Sequence, residues 1–138
     1  MSQNYENHKR YYPLFHFFTV PLAALGLGVS IYACRITQNP MYGLIFFAFF
    51  LIFIVAVMSR TFALKAQDRA IRAEENLRYF ILAGKAIPNA VSLSQILALR
   101  FASDEEYLAL TDRAVNENLS PDELKKAIKN WRADYHRI

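Results

Sequence analysis

The sequence predicts an all-α protein: a two-helix transmembrane hairpin, its second span continuing as a cytoplasmic stalk helix, then three short capped helices. Three observations carry this. Residues 13–34 and 39–59 contain no Asp, Glu, Lys or Arg, while 24 of the 28 charged residues lie from Arg60 onward. No Pro or Gly interrupts residues 44–83. Three capping boxes then open helices within 32 residues, and no strand alternation appears anywhere.

Residues 1–12, "MSQNYENHKRYY", form a polar, aromatic segment whose Tyr11 and Tyr12 suit the lipid headgroup level. The hairpin occupies 13–59, with spans at about 13–34 and 41–59. Each uncharged run is about 20 residues, or roughly 30 Å of helix, the thickness of a bilayer's hydrocarbon core. The first run is not read as a signal peptide, because a second follows at once without a small-residue cleavage site. Two buried helices of a soluble protein are the alternative, but "LIFFAFFLIFIVAVM" is apolar on every side of a helix. Lys9 and Arg10 precede the first span, Arg60, Lys65, Arg69, Arg72 and Arg78 follow the second, and only Arg35 lies between them. This bias puts both termini in the cytoplasm. Cys34, the single cysteine, makes no intrachain disulfide; it reads as a small apolar residue, with a bridge between two copies as the alternative.

The two spans differ in kind. Thr19, Ala23, Gly26, Ser30 and Ala33 follow one another at steps of 4, 3, 4 and 3 and are all small, so they permit close backbone approach in lipid. The second span is rich in phenylalanine, at 46, 47, 49, 50 and 53, and its knobs suit that groove. Pro40 and Gly43 mark the turn. From residue 44 one helix leaves the membrane near Arg60 and ends at Gly84, a C-cap, with Pro88 preventing a restart. Residues 60–138 thus form a stalk and tail. Along the stalk, Asp68–Arg72 and Glu74–Arg78 are i,i+4 pairs with the acid first. Ser92 with Gln95, Ser103 with Glu106, and Ser120 with Glu123 and Pro121 open helices at about 93–101, 104–118 and 121–136.

The blocks "QNYENHKRYYPLFH", "FALKAQDRAIRAEENLRYF", "LRFASDEEYLAL" and "LSPDELKKAIKNWRADYHR" together resemble a family of small two-span bacterial membrane proteins of unknown function. The resemblance implies an architecture of two spans and a helical cytoplasmic tail. It implies no activity, cofactor or partner.

Two surfaces stand out as interaction candidates beside the membrane seam of Ala23, Gly26 and Ser30. On the stalk, Ala63, Ala66, Ala70, Ala73, Leu77 and Phe80 keep a heptad spacing and can face one partner helix, supplied by the chain's own tail or by another copy. Alanine's helix propensity alone is the bland account. On the last helix, Leu124, Ile128, Trp131 and Tyr135 make one face, and Lys125, Lys129, Arg132 and His136 a basic stripe beside it. That stripe could meet anionic lipid or nucleic-acid phosphates, and the last two helices resemble a helix-turn-helix. A solvated face that complements the helix dipole accounts for it as well. With 13 basic and 11 acidic residues from Arg60 onward, the tail is too weakly charged to favour nucleic acid.

His16, the one ionisable residue well inside an apolar run, reads as an interfacial ring; haem ligation by two copies is the alternative. Asp104, Glu105 and Glu106 lie in a first helical turn, where acids stabilise the dipole. No nucleophile elbow, phosphate loop or zinc spacing is present. The expectation is a non-catalytic scaffold or accessory subunit of a bacterial inner membrane, without cofactor, in contact with lipid and with its own copies or a larger membrane protein. The competing expectation is a membrane-tethered module whose basic tail binds lipid or nucleic acid.

Overall fold

Pro21 shapes the way the chain enters its first long helix. It has no N–H, and its ring crowds the carbonyl four residues back. The chain answers with a π-helical turn over Leu14–Thr19, in which the Val20 N–H reaches the Phe15 carbonyl, five residues earlier. The wider turn makes the room a regular helix lacks. In the computed structural model, which describes residues 3–8 and 11–135, helices α1 (Val20–Thr37), α2 (Pro40–Ala83), α3 (Leu93–Leu99), α4 (Asp104–Asn116) and α5 (Pro121–Ala127) follow. Among the described residues there is no strand, only an isolated bridge between Ala102 and Trp131. The chain separates into two units, residues 10–64 and residues 1–9 with 65–138.

The first unit is the hairpin. Gln38 takes the left-handed conformation (φ 54°), and the Asn39 side chain accepts the Met41 N–H at 2.9 Å, so α2 starts at Pro40. The helices therefore run slightly beyond the expected spans at the turn. Gly26 touches the second helix through its backbone: a Cβ there would stand 2.4 Å from the Phe49 ring. Ala23 and Ser30, on the same stripe, are buried. The Arg60 guanidinium sits over the Phe15 ring at 5.9 Å, in the same antiparallel register as the Gly26–Phe49 contact. The opposite faces are apolar and open, with Phe17, Tyr32 and Leu44 all more than two-thirds exposed. The segments Leu14–Thr37 (24 residues) and Pro40–Ala83 (44 residues) contain 18-residue stretches of mean hydropathy 1.8 and 2.7, and each is long and apolar enough to cross a membrane.

Helix α2 runs without a break for 44 residues, about 66 Å at 1.5 Å per residue. It ends where Gly84, at φ +67°, turns its N–H back to the Phe80 carbonyl. In the second unit, the capping boxes at Ser92–Gln95 and Ser120–Glu123 form with both reciprocal bonds. Gln95 does more than cap. Its amide donates to the Leu119 carbonyl at 2.8 Å and to the Ala114 carbonyl at 3.3 Å, so the start of α3 holds the end of α4. The core gathers Tyr79 from α2 with Ile96, Leu99, Phe101, Tyr107, Leu110 and Leu124.

Four expectations need correction, the Ser103–Glu106 box and the ends of the three tail helices. The box at Ser103–Glu106 does not form: no side-chain cap bond is made there, and the Glu106 carboxylate instead accepts the Lys129 and Asn130 N–H groups at 3.1 and 2.9 Å. The same capture ends the last helix early. It stops at Ala127 rather than 136, Ile128 turns extended (ψ 122°), and the Arg132 N–H bonds to the Phe101 carbonyl at 2.7 Å. Backbone groups that a helix would have paired internally find partners on α4 and on the residues before it, so nothing drives the helix onward. The other two tail helices are also shorter than expected, closing at Leu99 and Asn116.

Candidate interaction surface

The stalk carries two faces. With Ala63 at heptad position a, the alanine seam occupies a and d, while Ile71, Glu75, Arg78, Tyr79 and Leu82 occupy b, c and f, on roughly the opposite side of the helix. The tail folds back on the second face. Ile71, Glu75 and Tyr79 are its buried residues, and the Tyr79 and Tyr107 rings lie 6.3 Å apart.

Arg78 organises this contact. Its Nε donates to Asp104 at 2.7 Å, one terminal nitrogen to Glu75 at 3.1 Å and the other to the Ala102 carbonyl at 2.7 Å. The guanidinium plane rests 4.2 Å from the centre of the Tyr107 ring. The expected Glu74–Arg78 pair is absent because Arg78 turns to Glu75 and Asp104. Burial, then the Glu75 carboxylate, raises the Tyr107 pKa well above the usual range, so the hydroxyl stays protonated and donates to the Glu75 carbonyl.

The N-terminal segment closes the domain. The Tyr5 hydroxyl donates to Asp122 at 2.7 Å, Lys126 sits over the Tyr5 ring at 5.4 Å, and the Gln3 side chain accepts the Asp134 N–H at 2.8 Å. His8 packs between Tyr5, Phe101 and Trp131, with ring centres about 6 Å apart. The hydrogen bond to Asp122 raises the Tyr5 pKa, and bonds from Lys126 and then Tyr5 lower that of Asp122.

The sequence-derived candidates fall into three groups. Ala23, Gly26 and Ser30 lie on the stripe of α1 that approaches Phe49 of α2. Ala66, Ala70, Ala73, Leu77 and Phe80 are exposed, and Ala63 is half-buried. Leu77 keeps 61 % and Phe80 56 % of its surface open, with Ile81 beside them at 71 %. The tail candidates do not share a face. Lys125 is on α5, Lys129 lies in the bend after it and Arg132 beyond that bend, and Arg132 reaches back towards Glu75 at 3.8 Å. Trp131 is half-buried against Phe101, their rings 5.2 Å apart. His136, Lys9 and Arg10 lie outside the described residues. His16 belongs to the π-turn, its Nδ1 within 3.2 Å of the Tyr12 N–H and its ring edge-on to Tyr11.

A cleft of about 360 Å³ lies between the stalk and the C-terminal segment, lined by Gln67, Ala70, Glu74, Glu75, Arg100 and Tyr135 among others. Its two arginines are already engaged, Arg100 with Asp134 at 3.2 Å and Arg132 with Glu75. An anion entering it would have to displace a carboxylate. Among the described residues, no group of three or more His, Cys, Asp or Glu side chains is placed to hold a metal.

Sequence reasoning gave Arg78 and Glu106 other partners, Glu74 and the Ser103 cap, and missed Glu75 and the docking of residues 3–8. The buried stripe on the stalk reads Ile71, Glu75, Tyr79, and its acidic centre hides it from any hydrophobic pattern. Its signal is the local excess of chemistry around it: Glu75, Arg78 and Tyr79 within five residues, ahead of Asp104 and Tyr107.

No curated protein and no solved structure matches the chain. A family model described as a family of unknown function (DUF6526) matches residues 1–138.

Proposed function

Since the chain belongs to this family of unknown function, its role has to be read from its own geometry, and we propose a non-catalytic integral membrane scaffold or accessory subunit that acts through helix–helix packing. The hairpin is the anchor, with two spans and both termini cytoplasmic, in a bacterial inner membrane. Its support is the pair of long helices whose uncharged surfaces have no protein cover. In lipid such surfaces cost nothing, and a helix pairs its interior backbone groups within itself. The docking of residues 3–8 on the tail supports the same-side topology. Tyr5 and Asp122 are 117 residues apart with both spans between them, and they bond in one domain.

The observation that carries the scaffold reading is the open face of the stalk. The tail is built against one side of α2 and leaves the other, from Ala66 to Phe80, exposed. A catalytic reading has no comparable support, because both arginines of the cleft are engaged by carboxylates. The lipid- or nucleic-acid-binding reading weakens because Lys125, Lys129 and Arg132 do not form a stripe.

Two measurements on the full chain test this. Alkaline carbonate extraction should leave it in the membrane pellet. Light scattering with detergent subtracted should return a particle heavier than the 15.9 kDa chain. A lone chain of that mass, with nothing bound to it, would sink the scaffold reading.

A further inference from the structure

We infer that the open face of the stalk seats a second copy of the same chain, as a parallel pair of α2 helices with Ala66, Ala70, Ala73, Leu77 and Phe80 in the seam and Arg69 of each chain opposite Glu74 of the other. The inference deepens the scaffold reading and rests on it for the direction of the helices, since two copies threaded through one membrane in the same sense have parallel stalks.

The first argument is what the face holds. It is more than a run of small residues. Leu77 and Phe80 stand at core positions of the heptad with over half their surface open, and Ile81 flanks them. The hydrocarbon of a bilayer does not suit this stretch of α2, for Lys65, Asp68, Arg69, Arg72, Glu74, Glu75 and Arg78 stand along it. The alanines one and two turns earlier let a partner helix come close, and the larger side chains then pack across the gap.

The second argument is charge. In a parallel coil, position g of one helix meets position e of the next heptad on the other. Arg69 is at g and Glu74 at e, so a symmetric pair makes the contact twice. Both side chains are exposed, and among the described residues neither makes an ion pair within its own chain, although Glu75 and Arg78 beside them are fully engaged. An antiparallel pair would set g against g and e against e, Arg69 against Arg69 and Glu74 against Glu74. The charges therefore select the parallel pair.

The third argument is room. The tail's core packs on b, c and f positions, and the C-terminal segment comes only as near the seam as the open cleft that Ala70 and Glu74 line, so both keep exposed side chains. The chain's own fold thus decides which face is left for a partner, and it leaves the one with matched charges.

The test uses full-length chains in native membranes with Cys34→Ser and one added cysteine. Under mild oxidation, Ala70→Cys, Ala73→Cys and Leu77→Cys should each give a band of twice the chain mass, several-fold stronger than Arg72→Cys, which lies on the far side of the helix. Independently, Arg69→Glu should raise the dimer dissociation constant about tenfold, because two attractive pairs become repulsive. Arg69→Glu with Glu74→Arg should restore it. Equal cross-linking at position 72, none at the seam, or a double variant no better than the single would overturn the inference. If the seam fails to cross-link while the detergent particle stays heavier than one chain, the scaffold reading survives with another partner. If the particle has the mass of one chain, both fall.

Discussion

Arg78 rests its guanidinium 4.2 Å from the centre of the Tyr107 ring. The same group ties Glu75, Asp104 and the Ala102 carbonyl together. A planar fork with several donors suits this place, and a lysine could satisfy only part of it. Arg78→Ala leaves the Glu75 carboxylate at 5 % exposure without its closest cation, which should cost about 3 kcal/mol or more. Arg78→Lys should cost about 2 kcal/mol through lost charged hydrogen bonds. Chemical unfolding of the full chain in detergent, followed by the fluorescence of Trp131, the single tryptophan, reads both. If Arg78→Ala unfolds at the wild-type midpoint, the anchor role is wrong.

Glu106 should be needed for the extended course of the C-terminal segment. Its carboxylate accepts two adjacent backbone N–H groups, Lys129 and Asn130. Glu106→Ala should cost about 2 kcal/mol and speed amide exchange at 129 and 130 ahead of the rest of the domain. Unchanged exchange at those two amides would refute it.

The hairpin should be sensitive to a single methyl at Gly26. A Cβ there would meet the Phe49 ring at 2.4 to 2.7 Å, well inside contact distance, so the helices must part or the ring must swing. Gly26→Ala should destabilise the hairpin by about 1–3 kcal/mol. Phe49→Ala should make that change nearly harmless, so the two losses should not add. Unfolding in mixed detergent micelles with increasing dodecyl sulfate gives the cycle. Simple additivity would mean that the two residues do not meet.

Stability of the second unit should fall at both ends of the pH scale. The carboxyls of Asp122, Glu117 and Glu123 are held below their ordinary values, by Lys126 and Tyr5, by Arg113, and by Ser120. A depressed folded pKa stabilises above the unfolded value, and that share is lost as pH falls through the folded one. Tyr107 and Tyr5 are raised, Tyr107 mainly by burial and Tyr5 by its bond to Asp122. Above about pH 10 an unfolded tyrosine ionises while the folded one holds its proton, so stability falls as pH rises further. Unfolding midpoints should therefore form a plateau between about pH 5 and 9. Tyr107→Phe should flatten the alkaline limb, and a limb of unchanged slope would contradict this.

The sequence made much of this legible, and its failures share a cause. The unbroken course of α2, its stop at Gly84 and two of the three capping boxes rest on local chemistry, and they appear as read. The small stripe of α1 against a phenylalanine of α2 is likewise local in each helix. The last helix was misjudged because its end is decided from a distance, by Glu106 and by the Phe101 carbonyl. Periodicity sees Leu124, Ile128, Trp131 and Tyr135 as one face and has no access to a carboxylate 23 residues upstream. The stalk's covered side was hidden in the same way, for a buried Glu75 becomes intelligible only once Arg78 and Tyr107 are placed beside it.

The clasp between the two ends of the chain has a consequence for how the protein is made. Gln3 holds the Asp134 N–H across 131 residues, and Tyr5 waits for Asp122. Residues 3–5 are thus made before the two long helices and find these partners only after residues 122–134 have followed. While both long apolar helices are being delivered to their solvent, the opening segment has nothing to dock on, and long-range closure of this kind comes late and slowly. A chain whose synthesis halted before Asp134 would leave the Gln3 side chain without this partner and residues 3–8 with less to dock on.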